Sequence, residues 1–299
     1  MFLGISIDNG HAHGVLMDAG GQIAARATAM HPDAADNVSA IVRETVGRTP
    51  GAQALAAGVT FPDPDSKNWL MDLTSVSSAV GGIPVVKALS TGSAAAVAEA
   101  VYGSARGARN LIAFSLGPSV SAGIITNGAL LEGAHGLAGS IRWLALNPVE
   151  RDDYRRLGCL EAEGGAAGIV RRLVWRIKSG DRSRVLDAAA GDYSAITLDM
   201  ILEAARDNDG VSISVIRDTV KYLAMAVSNI AAVVDPEVVV LGGMLPSAGD
   251  LLLEPIRQEC ARRMPPGIQE RARIEVSKLG ADAAPMGAAR IAHAGPALP

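Results

Sequence analysis

Two stretches of the chain share one pattern: a short apolar run, a turn of small polar residues, then a second run that ends at a glycine turn. Residues 111–116 (LIAFSL) form the clearest run and predict a buried strand that stops at Gly117. Residues 122–126 follow as a second strand, turned by Asn127-Gly128, a strong hairpin signal. Gly133, Gly136 and Gly139 come next, where backbone can lie close to a ligand. The chain opens in the same way, with strands expected over residues 2–7, 14–17 and 22–28 and a turn over 18–21. Two copies of one unit predict two like half-domains facing each other across a cleft.

Elsewhere the spacing turns helical. Residues 32–46 carry Val38, Ile41, Val42 and Val46 on one face, and residues 54–59 and 84–88 return as strands around a proline loop. Ser90 predicts the cap of a helix over residues 92–102, built mostly of alanine. Residues 152–156 read as a polar loop, 160–177 as mostly helix, and 182–190, 198–206 and 211–234 as three more helices. A buried strand over 238–241 runs into Gly242-Gly243, followed by a helix over 251–263, a strand over 273–278 and a closing helix over 286–293. The tail beyond Gly295 reads as disordered. This order suits an α/β fold, with an N-terminal domain over residues 1–110, a C-terminal domain over 111–285, and the closing helix, 286–294, returning to the first.

Composition narrows the classes. A chain of 299 residues is long enough for two cores, and with aromatics at 3% those cores must rest on Ala, Val, Leu and Ile. A net charge of −4 offers no basic field for nucleic acid. No apolar run approaches the roughly 20 residues of a membrane span, and the N-terminus enters a strand with no basic leader. Cys159 and Cys260 are too few for a disulfide scaffold or a structural zinc centre. The expectation is a cytoplasmic protein with free thiols and no membrane partner.

Several segments together resemble the ROK proteins (repressors, open reading frames and sugar kinases) of the actin-like ATPase superfamily. They are Gly133-Ala134-His135-Gly136-Leu137-Ala138-Gly139, Gly158-Cys159-Leu160-Glu161, Asp235-Pro236-Glu237 with the strand into Gly242-Gly243, the alanine helix from Ala94 to Glu99, and Met286-Gly287-Ala288-Ala289. The resemblance implies two actin-like, ribonuclease H-like domains around a central cleft, with Mg·ATP and a hexose as ligands of active members. It also implies a homodimer. The family's repressors carry a helix-turn-helix domain before the first strand; this chain opens on that strand, so DNA binding is not expected.

The departures from the family pattern fall on the chemical parts. Phosphoryl transfer depends on positioning and charge stabilisation, so both the phosphate cradle and the base must be present. The family's catalytic Asp, in an Asn-Asp-x-Asn run, aligns with Thr91 of Ser90-Thr91-Gly92-Ser93. A hydroxyl cannot accept the substrate proton near neutral pH, and loss of a general base costs roughly 10²–10⁴-fold in rate. The plainer role of Ser90 and Thr91 is to cap the helix. Asp63 and Asp65 in the proline loop are the substitute candidates for the base.

The first phosphate loop, Asp-x-Gly-Gly-Thr in the family, is here Asp8-Asn9-Gly10-His11-Ala12, with a β-carbon where backbone should approach phosphate. Asp8 could hold Mg²⁺ through water or be a solvated carboxylate at a strand end. His11 and His13 read as exposed turn residues. The second loop, Gly117-Pro118-Ser119-Val120-Ser121, loses a donor at Pro118 and glycine freedom at Ser119 and Ser121. In the sugar pocket, Gly139-Ser140-Ile141-Arg142-Trp143 replaces Gly-Glu-x-Gly-His, Phe61 replaces a glycine, and Glu161 alone keeps its family identity. Two of the three zinc cysteines are missing, so Cys159 is expected as a packed free thiol and no structural zinc is expected.

The candidate substrate pocket is therefore Phe61, Asp63, Ser90, Thr91, His135, Ser140, Trp143 and Glu161. The nucleotide side is Asp8, Asn9, Gly10, His11, Gly117, Ser119, Ser121, Gly242 and Gly243. Three functions follow from this set. One is a catalytically degenerate module that binds a small ligand, such as a sugar derivative. The second is an active ATP-dependent sugar kinase with a shifted base. The third is a repurposed enzyme using His11, His13, His135 or Glu161.

Overall fold

Strand β1 (Phe2–Asp8) lies at the centre of the first sheet, where its apolar side chains are covered on both faces. In the computed structural model, which describes residues 1–8, 10–61, 75–117, 119–243 and 245–295, β1 pairs antiparallel with β2 (His11–Met17), and β2 with β3 (Ile23–Met30). On its other side β4 (Ala56–Phe61) and β5 (Val85–Ser90) add in parallel, giving the order β3-β2-β1-β4-β5. Helix α1 (Ala34–Thr45), capped by Asp33, buries Val38 and Ile41 against this sheet.

The second sheet repeats the plan. Strand β6 (Leu111–Leu116) pairs antiparallel with β7 (Val120–Thr126), which meets β8 (Ala129–Leu130) across the expected Asn127-Gly128 turn, where both residues adopt positive φ. Strands β9 (Val238–Gly243) and β10 (Arg273–Val276) add in parallel, giving β10-β9-β6-β7-β8. The two sheets have the same connectivity, as the repeated pattern in the sequence predicts.

The helices that follow the fifth strand of each half exchange places. Helix α2 (Thr91–Val101) leaves β5 of the first sheet and lies on β6 and β7 of the second. Helix α11 (Ala283–Ala294) follows β10 of the second sheet and lies on β1 and β4 of the first. The two helices also pack on each other. Glycines permit all three contacts: a Cβ on Gly4 would sit 1.8 Å from the Pro285 oxygen, one on Gly123 2.2 Å from the Gly92 oxygen, and one on Gly287 1.8 Å from the Ala94 oxygen. No side chain survives such distances without moving the backbone.

Helix α3 (Asp152–Leu157) packs in a small separate cluster with Cys159 and Ala162, and the second core is enlarged by helices α4 (Cys159–Gly164), α5 (Ala166–Lys178), α6 (Arg184–Ala188), α7 (Leu198–Arg206), α8 (Gly210–Val234), α9 (Leu245–Ala261) and α10 (Pro266–Arg271). Several differ from expectation. The polar loop at 152–156 is helical, with Asp152 and Asp153 in the first turn and Arg155 and Arg156 in the last, an order that suits the helix dipole. The helix expected over 160–177 breaks at Gly165, whose backbone is extended. Helix α10 was not anticipated; Pro266 at its first position is compatible with a helix start. Helix α11 begins three residues before the expected 286, because Pro285 lies within its first turn.

Among the described residues no helix is long and apolar enough to cross a membrane. The tail expected to be disordered lies outside the described residues beyond Gly295.

Candidate functional site

The carboxyl ends of β1, β6 and β9, with the starts of α2 and α11, converge on a cleft of about 440 Å³ between the two sheets. This is where open α/β sheets commonly present ligands. Asp8, His11, Thr91, Gly117, Ser119, Gly242 and Gly243 all line it, so seven of the predicted residues meet in one place. Its walls are otherwise mainly Ala, Gly and Ser. Gly10 and Ser121 stay outside the lining; Gly10 makes the β1–β2 turn with φ of +79° and Ser121 is buried in β7. Asn9, Asp63 and Asp65 lie outside the described residues.

Asp8 is held by the second loop. It is half-buried at the cleft wall, where its carboxylate accepts the Ser119 hydroxyl at 2.9 Å and the Ser119 backbone N–H at 3.3 Å. Burial pushes its carboxyl above the ordinary carboxylate range, while the Ser119 hydrogen bonds and the charges of His11 and Arg142 pull the other way. The two expected phosphate loops are thus fastened to each other. The first is a tight hairpin, because Asp8 pairs directly with His11 in the sheet. The Mg·ATP that the family resemblance implies would have to share this carboxylate with the donors of the second loop.

Thr91 is largely buried in the first turn of α2, with its Oγ1 3.4 Å from that of Thr60, which in turn donates to Ser6 at 2.9 Å. Ser90, not Thr91, is the cap: its Oγ accepts the Ser93 N–H at 3.0 Å. Thr91 faces the large cleft, whereas Ser90 and Ser93 face a second cavity of about 350 Å³. Phe61, Lys87, Glu132 and His135 complete this second cavity's polar and aromatic lining, and Lys87 is ion-paired with Glu132. The N-terminus of α2 is therefore the partition between two compartments.

The remaining pocket candidates lie apart from both cavities. Glu161 is buried on α4, where its Oε2 accepts the Val120 N–H at 3.0 Å and lies 3.9 Å from Arg142 Nε. It therefore braces the second loop from behind. Arg142 donates to the Leu157 oxygen and stacks over Trp143, which is 43% exposed; Ser140 precedes that short turn. Cys159 is a buried free thiol in a small apolar cluster with Tyr154 and Ala162. That setting does not fit a closed zinc site. The same segment is held instead by Glu163, which accepts Tyr154 Oη at 2.6 Å, Arg151 at 3.1 Å and Arg172 at 3.4 Å.

Sequence reasoning missed three features. His13 is no exposed turn residue; on β2 its Nε2 lies 2.7 Å from Asp282, which also pairs with Arg26. Glu99, on α2, is buried at the cleft wall and accepts the Ser104 N–H at 2.8 Å and the Ser277 hydroxyl. Ser277 follows β10 directly, much as Ser90 closes β5, and its Oγ accepts the N–H of Leu279 and Gly280. The internal repeat is the signal by which Ser277 was findable.

A family model described as the ROK family matches residues 62–295. The glucokinase of Halalkalibacterium halodurans is 32% identical over 198 residues, 64% of this chain and 59% of that protein. The xylose repressor of Caldicellulosiruptor bescii is 28% identical over 236 residues, 77% of this chain and 57% of that protein. In both cases the matched span is less than two thirds of the relative's length. A ROK family glucokinase from Streptomyces griseus, solved with glucose and AMPPNP, superposes with a TM-score of 0.83 at 24% identity, over 98% of this chain and 99% of that one. A ROK family transcriptional regulator homologous to E. coli MLC superposes at 0.79 and 23% identity, over 98% of this chain and 77% of that one. The exchanged helices, the doubled sheet and the matched span of 62–295 agree, and the chain belongs to the ROK family.

Proposed function

We propose that this protein binds a small carbohydrate-like molecule in its cleft without phosphorylating it, and serves as a cytoplasmic binding or regulatory module, dimeric like its family. One observation carries the reading. The described carboxylates lining the two cavities are Asp8, Glu99 and Glu132, and each is already engaged, by Ser119, Ser277 and Lys87 respectively. None stands at the α2 partition, where Thr91 offers only a hydroxyl. A transfer from one compartment to the other would have its proton acceptor there, and a hydroxyl does not serve near neutral pH.

The second cavity supports the choice of ligand class. Phe61 offers an aromatic face, while Ser90, Ser93 and His135 offer hydrogen-bonding groups to hydroxyls. Similarity to glucokinases favours a second reading, an ATP-dependent sugar kinase in which Asp63 or Asp65 supplies the base. Function has to be argued from the site rather than the fold, so this reading stands second.

A thermal-shift screen over hexoses, amino sugars and sugar acids separates the two. Binding without turnover predicts a raised melting temperature with at least one carbohydrate; mass action gives about 2.7 kcal/mol at a hundredfold excess over Kd. The same sample should release no ADP from Mg·ATP above background. ADP release that disappears in Asp63→Ala or Asp65→Ala would establish the second reading.

A further inference from the structure

We propose that the Asp8 carboxylate is a built-in occupant of an oxyanion seat on the loop after β6, so that any phosphate-bearing ligand must first expel it. The seat's donors are the Ser119 backbone N–H and hydroxyl, and both converge on this one carboxylate. Such a convergent pair of donors on a tight turn is what an oxyanion requires. The contact is not local. Asp8 and Ser119 are 111 residues apart, one at the end of β1 in the first sheet and the other just before β7 of the second, and both line the 440 Å³ cleft. The bond therefore also latches the two halves together.

The surroundings reinforce the seat. Gly117 N–H donates to the Ser119 oxygen at 3.1 Å. Glu161 holds the next residue, Val120, by its N–H, so the loop is fixed on its far side. Arg142 lies close enough for its charge to act on Asp8. A phosphoryl group entering the cleft meets a donor set already satisfied and a like charge already in place. This inference rests on the reading above, in that a cleft awaiting Mg·ATP would leave Asp8 free to face the metal.

The test is titration calorimetry with inorganic phosphate, without sugar or magnesium, on the parent protein, Asp8→Ala and the double variant Asp8→Ala/Ser119→Ala. If Asp8 fills the seat more than nine-tenths of the time, removing it tightens phosphate binding by at least about tenfold, since apparent affinity scales with the unoccupied fraction. The double variant should lose that gain. Asp8→Asn, which keeps the side-chain shape and one acceptor oxygen, should fall between parent and Asp8→Ala, and it carries the test if Asp8→Ala does not fold. Unchanged or weaker phosphate binding in both single variants would overturn the proposal, as would a gain that survives loss of Ser119. Because no sugar or ATP turnover is measured, failure here leaves the ADP-release result standing, and the reverse holds too.

Discussion

Glu99 shows how one buried carboxylate sets a dependence on pH. Burial pushes its carboxyl above the ordinary 4.5, against the Ser277 and Ser104 hydrogen bonds and the charge of Lys278. The folded state then holds this proton more tightly than the unfolded chain does. Stability from this group consequently falls as pH rises from 4.5 through the raised folded value, and the penalty is complete above it. Glu99→Gln removes the titration but also an acceptor for the Ser104 N–H, a constant loss at every pH. Relative to the parent, its melting temperature should therefore be higher at pH 7 than at pH 4 by comparison of the two differences. Parallel profiles from pH 4 to 7 would contradict the assignment. The sequence marks Glu99 only as the end of a family-like segment, because its partners Ser104 and Ser277 come from a turn and from the residue after β10. Asp8–Ser119 was illegible for the same reason: each residue could be flagged as altered, but their meeting depends on how two sheets face each other.

Among the elements, α2 and α11 carry the connection between the halves, and their glycines decide whether they can. Gly287→Ala places a methyl 1.8 Å from the Ala94 oxygen, where only backbone can give way. Overpacking of this kind typically costs about 1–3 kcal/mol or more, so its denaturation midpoint should drop sharply. Gly267→Ala, in α10 with nothing within 4 Å of its Cβ, is the matched control and should lie within about 1 kcal/mol of the parent. Equal midpoints for the two variants would show that α11 does not pack as described. Element type was largely legible: strands from short apolar runs, the 127–128 hairpin from its Asn-Gly, and α8 from sustained helical spacing. Helix breaks were not, since Gly165 is one glycine among many and only its extended backbone separates α4 from α5. The helix at 152–157 was hidden by its charge, which periodicity counts against and the helix dipole favours.

At the scale of the whole molecule, a doubled sheet with exchanged helices leaves a cleft and an adjoining cavity that the start of α2 divides. The sequence divides the chain into residues 1–110 and 111–285 with 286–294 returning to the first; α11 packs on β1 and β4, and α2 leaves the first sheet to cover β6 and β7 of the second. The family was legible because its glycines and small residues serve backbone contacts that persist whatever the chemistry. The activity was less legible, because the replaced residues depart from the family's pattern without naming a successor. The central proposal is that no described residue at the partition accepts the substrate proton. Its most direct measurement is transfer of label from γ-labelled Mg·ATP to a panel of monosaccharides by the purified protein. The account expects no labelled sugar above background at any substrate concentration. Turnover in the ordinary enzyme range of roughly 1–10³ s⁻¹ would contradict it.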